Sequence, residues 1–188
     1  MVNGPDRNQR DDRRSQFDEQ GMQERVVKIS RVSKVVKGGR RLSFSAVVVV
    51  GNGEGKVGIG MGKSDAVPDA VRKGSVNAKK NMITVALKDS TIPHDIVSRF
   101  GSAEVMLKPA SPGTGVIAGG AVRAVVELAG IKDITTKARF STNPINTVKA
   151  AFQGLGMLKD PAEEFEKRRQ LAEAIPVNSP NRGRSARG

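Results

Sequence analysis

The stretch LSFSAVVVVGNGEGKVGIGMGKSDAVPDAVRKGSVNAKKN, residues 42–81, decides the fold. Leu42, Phe44, Ala46, Val48 and Val50 fall on one face of an extended chain, and Ser43, Ser45, Val47 and Val49 on the other. Successive strand side chains point to opposite faces, so this strand is one-sided in its first half and buried on both faces in its second. Gly51-Asn52-Gly53-Glu54-Gly55 reads as a turn. The next strand alternates again, with Val57, Ile59 and Met61 on one face and Gly58, Gly60 and Gly62 on the other. A strand face made of glycine lets another backbone or a helix approach closely. Such a helix follows: Ser64 or Asp65 is placed to cap it, Pro68 is tolerated in its first turn, and it runs to about Asn81. At 3.6 residues per turn, Val67, Ala70, Val71, Gly74, Ala78 and Met82 share one face, while Arg72, Lys73, Lys79 and Lys80 gather opposite.

Working outward, the β-branched stretch Val26 to Val36 and the turn Lys37-Gly38-Gly39-Arg40 predict a hairpin leading into this strand. Residues 25–90 thus make a module of a three-stranded sheet plus a helix. Downstream, Ile92, Val97 and Phe100 precede a strand at Ala103 to Lys108. A loop from Pro109 to Gly115 then opens a helix that starts at about Ile117 or Ala118 and stops at Gly130. A strand from Asp133 to Phe140 comes next. Asn143 caps a last helix begun by Pro144, with Ile145, Val148, Phe152 and Leu155 on its apolar face. Residues 91–160 therefore read as a βαβα module, and the chain as α+β in two small domains. Residues 1–24 are polar and mixed in charge, a tail expected to be disordered. Residues 161–188 read as a charged tail, with a short helix from Pro161 and a flexible basic end. There is no internal repeat.

The chain of 188 residues carries a formal charge of +13, a balance that calls for a polyanionic partner. The charge is not in the tails: residues 1–24 are net −2, residues 25–160 net +13 and residues 161–188 net +2. A basic folded surface, unlike a basic tail, implies a shaped partner. Cysteine is absent, which excludes a disulfide frame, a thiolate nucleophile and a cysteine zinc site, and fits a cytoplasmic protein. No apolar run approaches the roughly 18 residues of a spanning helix, and the polar start has no signal-peptide core.

Glycine-rich stretches invite a nucleotide reading. Gly62-Lys63-Ser64 ends like a phosphate loop, but Val57 stands where its first glycine belongs. Gly53, Gly55 and Gly58 have dinucleotide spacing, yet a strand follows where that fingerprint needs a helix. Prolines at 109 and 112 spoil the tight turn before Gly113 and Gly115. That loop either offers backbone amides to a phosphate at a helix start or simply lets two elements pack. The single histidine, His94, stands beside Asp95 in a chain without cysteine, and the carboxylates are scattered, so no catalytic constellation or metal site is expected. No cofactor is expected either.

The strongest signal is cationic. Arg25, Lys28, Arg31, Lys34, Lys37 and Arg40 recur at every third position, Arg41 follows, and no acid interrupts them. Period three alternates faces of a strand, so these side chains flank it on both sides and are suited to neutralising phosphates. With no Trp or Tyr and only 3% aromatic residues, base stacking on a sheet is not expected, and recognition through backbone and shape is.

Three segments together resemble ribosomal protein five of the bacterial small subunit: Arg31 to Lys34 with Lys37 to Arg40 and Gly51 to Gly58, then Pro109 to Val125, then Ser141 to Asn146. The resemblance covers residues 25 to about 158. It implies a double-stranded-RNA-binding-like first domain and a second α+β domain with a left-handed crossover. It also implies binding to small-subunit ribosomal RNA, contacts with ribosomal proteins four and eight, a place near the messenger RNA entry site, and a role in decoding accuracy. The residues and the resemblance together assign RNA binding to Arg25, Lys28, Arg31, Ser33, Lys34, Lys37, Gly38, Gly39, Arg40, Lys56, Lys63, Arg72, Lys73, Lys79 and Lys80. By resemblance a protein interface falls on Gly113, Gly115, Gly119, Gly120 and Arg123. The alternative is a free double-stranded-RNA-binding protein or RNA chaperone, which the first module alone would permit.

Overall fold

A computed structural model describes residues 21–174 of the chain. The expected disordered tail therefore lies outside the described residues up to position 20, as does the basic end from 175 onward. Residues up to Leu158 belong to one compact unit, and those from Lys159 to another.

In the first unit, β1 (Gln23–Val36), β2 (Gly39–Gly51), β3 (Lys56–Ser64) and β4 (Met82–Thr84) form an antiparallel sheet in the order β1-β2-β3-β4. The three-stranded expectation is corrected to four. Met82, assigned above to the helix face, instead pairs with Gly58 once the chain leaves helix α1 (Val67–Lys80). β1 begins at Gln23, three residues before the expected Val26, and Met22 packs against the core beneath α1.

The glycine face of β3 is where α1 lies. A Cβ built on Gly58 would sit 2.2 Å from the Ala78 carbonyl oxygen, on Gly60 2.1 Å from that of Gly74, and on Gly62 2.0 Å from that of Ala70. No side chain fits between the two backbones. Ala70, Gly74, Ser75 and Ala78 form the buried side of the helix, and Ala46, Val48 and Val50 of β2 complete this small core. The expected cap is corrected. Ala66 occupies the N-cap with no side-chain bond, because Asp65 is committed to Arg41 and Ser43 of β2.

The second sheet consists of β5 (Ile96–Phe100), β6 (Ala103–Pro109), β7 (Val116–Ile117) and β8 (Ile134–Arg139), in the order β5-β6-β8-β7. β7 and β8 are parallel, joined across helix α2 (Gly120–Leu128), and the other pairs are antiparallel. Helix α3 (Pro144–Gly156) packs on β5 and β6, with the Asn143 side chain accepting from the Ile145 amide as expected. The βαβα expectation missed two strands. β7 is too short to show a period. In β5 the inward Ser98 is polar, buried because its hydroxyl donates to the Ala150 carbonyl at 2.7 Å. The helix expected from 117 or 118 starts only at Gly120, because Val116 and Ile117 pair with β8.

One hydrophobic cluster runs through both modules: Val49 and Val57 of the first sheet join Val105, Leu107, Val125, Ile134, Val148 and Leu155. This explains the double burial of residues 46–50, which have α1 on one face and the second module on the other. The turn after β2 docks on the end of α2, where the Gly53 and Gly55 amides donate to the Leu128 and Ala129 carbonyls at 3.0 and 2.9 Å.

In the second unit, helix α4 (Pro161–Ala174) starts where Asp160 accepts from the Ala162 amide, and the Lys167–Glu163 pair lies one turn apart along it.

Candidate nucleic-acid interface

The β1–β2 hairpin carries the cationic run. Its turn is the two-residue Lys37-Gly38 between the paired Val36 and Gly39, with φ of 89° at Gly38 and 150° at Gly39. Left-handed backbone of this kind favours glycine. From Ser33 to Leu42 every residue is exposed, including Val35 at 75%. The distal half of the hairpin therefore projects beyond anything that covers it.

Register decides how the cations face. Paired residues of antiparallel strands share a face, so Arg31, Ser33 and Arg40 lie on the α1 side, with Phe44, Leu42 and Val35 as their partners. Lys34 and Arg41 are paired with each other on the opposite side. A bulge between Val26 and Lys28 resets the phase, so Arg25 and Lys28 both fall on that opposite side, against Val49 and Val47. Period three was expected to alternate throughout.

The expectation of seven unopposed charges is corrected to five. Arg25 donates to Glu127 of α2, and Arg41 lies 3.2 Å from Asp65. Both acids come from distant parts of the sequence. The Ser43 hydroxyl and the Arg41 guanidinium hold the Asp65 carboxyl below its ordinary value of 3.8. Lys28, Arg31, Lys34, Lys37 and Arg40 make no ion pair among the described residues.

A second cationic locus flanks the hairpin's base. Lys63 lies at the end of β3 opposite Ser45, and an open groove of about 730 Å³ is lined by Lys63, Arg72, Lys73, Met61, Val76 and Asn77. The Lys73 ammonium donates to Ser64 Oγ at 3.3 Å, and Arg72 lies 3.6 Å from Asp69. Lys79 and Lys80 sit about two turns further, in the last turn of α1, where cations complement the helix dipole. Lys56 is at the other end of β3, paired with Thr84, and does not join the hairpin locus. Arg72 and Lys79 line one shallow groove along α1, so the helix cations follow a single exposed face, as the helical period expects.

The loop at 109–115 resolves the choice left open by the sequence. The Gly113 and Gly115 amides both donate to Asp133 Oδ1, at 3.0 and 2.9 Å. An internal carboxylate occupies the anion site, which corrects the reading of amides open to phosphate. Asp133 is 5% exposed, and the Ser90 hydroxyl, then the Gly115 and Gly113 amides, hold its carboxyl below 3.8. Sequence reasoning missed Asp133 because nothing local marks a carboxylate 18 residues away as the acceptor.

Gly113, Gly115, Gly119 and Gly120 have nothing within 4 Å of a built Cβ. Arg123 donates to the Val116 carbonyl at 3.1 Å and lies 3.9 Å from Glu127. These five residues border an open surface around the start of α2. His94 is a loop residue whose ring nitrogen lies 2.9 Å from the Asp95 carbonyl oxygen. Among the described residues no helix is long and apolar enough to cross a membrane.

The sequence that builds this basic hairpin, glycine strand and second mixed sheet matches two family models. "Ribosomal protein S5, N-terminal domain" covers residues 22–86, and "Ribosomal protein S5, C-terminal domain" covers residues 98–169. The chain belongs to the ribosomal protein S5 family. Relatives named "Small ribosomal subunit protein uS5" include one from Chloroflexus aurantiacus, 58% identical over 150 residues, covering 80% of this chain and 84% of the relative. Another, from Syntrophobacter fumaroxidans, is 60% identical over 137 residues, covering 73% and 82%. The S5 family assignment spans both sheets, so the hairpin and the Gly113 loop both belong to the matched region.

Proposed function

We propose that this chain is a structural constituent of the small ribosomal subunit, a ribosomal RNA-binding protein and not an enzyme. The observation that carries the RNA contact is the projecting hairpin, where Lys34, Lys37 and Arg40 stand exposed with no acid against them. Each is free to neutralise a phosphate and release counterions. Lys28 and Arg31 extend that contact along β1, and Lys63 with Arg72 and Lys73 forms a second phosphate track at the hairpin's base.

The finer assignment is that the open surface bordered by Gly113, Gly115, Gly119, Gly120 and Arg123 meets ribosomal protein four. By resemblance the chain also contacts ribosomal protein eight and sits near the messenger RNA entry site, with the hairpin loop meeting RNA toward the neck of the subunit. Family resemblance supports these partners, and the bare glycines support close approach by another backbone. A role in decoding accuracy follows if that interface shifts during decoding.

The test is a salt titration of binding to a small-subunit RNA fragment, comparing wild type with the triple change of Lys34, Lys37 and Arg40 to Gln. Removing three phosphate-neutralising charges should flatten the slope of log affinity against log salt by up to about 2 to 3 units, with little change in base preference. An unchanged slope with intact circular dichroism would transfer the contact to the Arg72 and Lys73 groove. Sedimentation on a sucrose gradient separates the alternative of a free double-stranded-RNA-binding protein, which would leave a pool outside small subunits.

A further inference from the structure

Phe140 is an exposed residue that the fold does not explain. It follows the last residue of β8 with φ at 64° and is 77% exposed. The Ser141 amide donates back to the Arg139 carbonyl at 2.9 Å, which closes a γ-turn of the strained hand around Phe140. A bulky side chain in this region is an outlier, where glycine would sit without strain. The ring recovers almost nothing by packing within the chain. Phe100, the other aromatic near that end of the sheet, is already met by the Lys149 ammonium at 4.9 Å from its ring centre.

The surroundings of Phe140 are cationic. Arg99, Glu104 and Arg139 lie in one row across β5, β6 and β8, on the sheet face opposite Val105 and Leu107. The Glu104 carboxylate, 8% exposed, lies 2.5 Å from the Arg99 guanidinium and 4.0 Å from that of Arg139. It holds both arginines in place while offsetting only one of their charges. Lys137, two residues before Arg139, points to the same face and is exposed.

We propose that Phe140 is a stacking platform for one unpaired RNA base, with Arg99, Lys137 and Arg139 meeting the phosphates beside that nucleotide. The proposal rests on the ribosomal RNA reading above and adds a contact point on the other module. Charge selects the occupant: an aromatic face accepts any base, and three cations against one acid suit its phosphates. An apolar protein pocket would use the ring but not the cations.

Full-length variants bound to a small-subunit RNA fragment at moderate salt test it. Phe140→Gly removes the ring and relieves the turn, so its thermal midpoint should stay level or rise while affinity falls about tenfold. Phe140→Trp should bind at least as well as wild type. Phe140→Leu, apolar but without a π face, should bind as weakly as the glycine variant. Ultraviolet irradiation of the wild-type complex should leave a nucleotide adduct on the peptide containing Phe140. Wild-type affinity in Phe140→Gly or Phe140→Leu overturns the stacking assignment. So does normal RNA affinity in Phe140→Gly with poor incorporation into small subunits, which would place a protein there. The hairpin triple variant run alongside separates the two readings. A flattened salt slope with unchanged Phe140→Gly affinity sinks the stacking site alone, whereas no change in either variant sinks the RNA reading of both surfaces.

Discussion

Replacing Gly60 by Ala should detach α1 from its sheet. The new Cβ would lie 2.1 Å from the Gly74 carbonyl oxygen and 2.4 Å from the Ala78 nitrogen, where ordinary contact begins at 3.4 Å. The helix must therefore withdraw by about 1.3 Å, and because the obstructing atoms are backbone, no rotamer change relieves the clash. Withdrawal opens the small core of Ala46, Val48, Val50, Ala70 and Ala78, which has little other packing to compensate. Overpacking of this kind costs about 1–3 kcal/mol, and two backbone clashes place Gly60 near about 3 kcal/mol. For a chain of this size that is a fall in thermal midpoint of about 6–12 °C. Gly74→Ala, whose Cβ meets the end of a Val48 side chain at 2.8 Å, should fall by less. The assay is thermal unfolding followed by circular dichroism, with RNA binding measured well below the transition. Because Arg72 and Lys73 ride on α1 while Lys63 stays on β3, Gly60→Ala should also disturb the groove they share. A midpoint within about 1 °C of wild type would mean that α1 and β3 are not in backbone contact, and the account of the glycine face would fall.

Gly120→Ala should raise stability by up to about 1 kcal/mol, since its Cβ meets nothing and alanine restricts the unfolded chain. Impaired assembly with ribosomal protein four in that more stable variant would locate the partner's backbone there, and normal assembly would count against the interface. Asp65→Ala releases Arg41 and should steepen the salt slope of RNA binding by about 1 unit; a slope equal to wild type would show that Arg41 does not reach phosphate. Asp133→Ala should speed hydrogen exchange at the Gly113 and Gly115 amides. The Asp133 carboxyl titrates below its ordinary 3.8, so its support is complete above that value and is lost as pH falls through the lowered one. Exchange at those two amides unchanged by the mutation would refute the bond. Arg123→Leu should leave the fold intact and change near-cognate misreading; reporter misreading at the wild-type level would remove Arg123 from the interface.

The alternation in residues 42–62 and the helical period that follows were enough to read β2, β3 and α1 of the first module. Strand and helix periods are local, and a glycine face implies a close neighbour wherever that neighbour comes from. Charge and motif order were enough for RNA and for the family. The short strands β4, β5 and β7 were hidden because two or three paired residues, or a buried serine answered by a distant carbonyl, leave no period to read. Whether a given cation is free was also beyond the sequence. Arg25 and Arg41 look like their neighbours in the run until Glu127 and Asp65 are brought to them from 102 and 24 residues away. The same holds for the Gly113 loop, where the sequence left an anion site and a simple packing loop equally open until Asp133 closed on its amides. Backbone periodicity is written in neighbouring residues, but the pairing of a charge or an amide depends on which remote group the completed fold delivers to it.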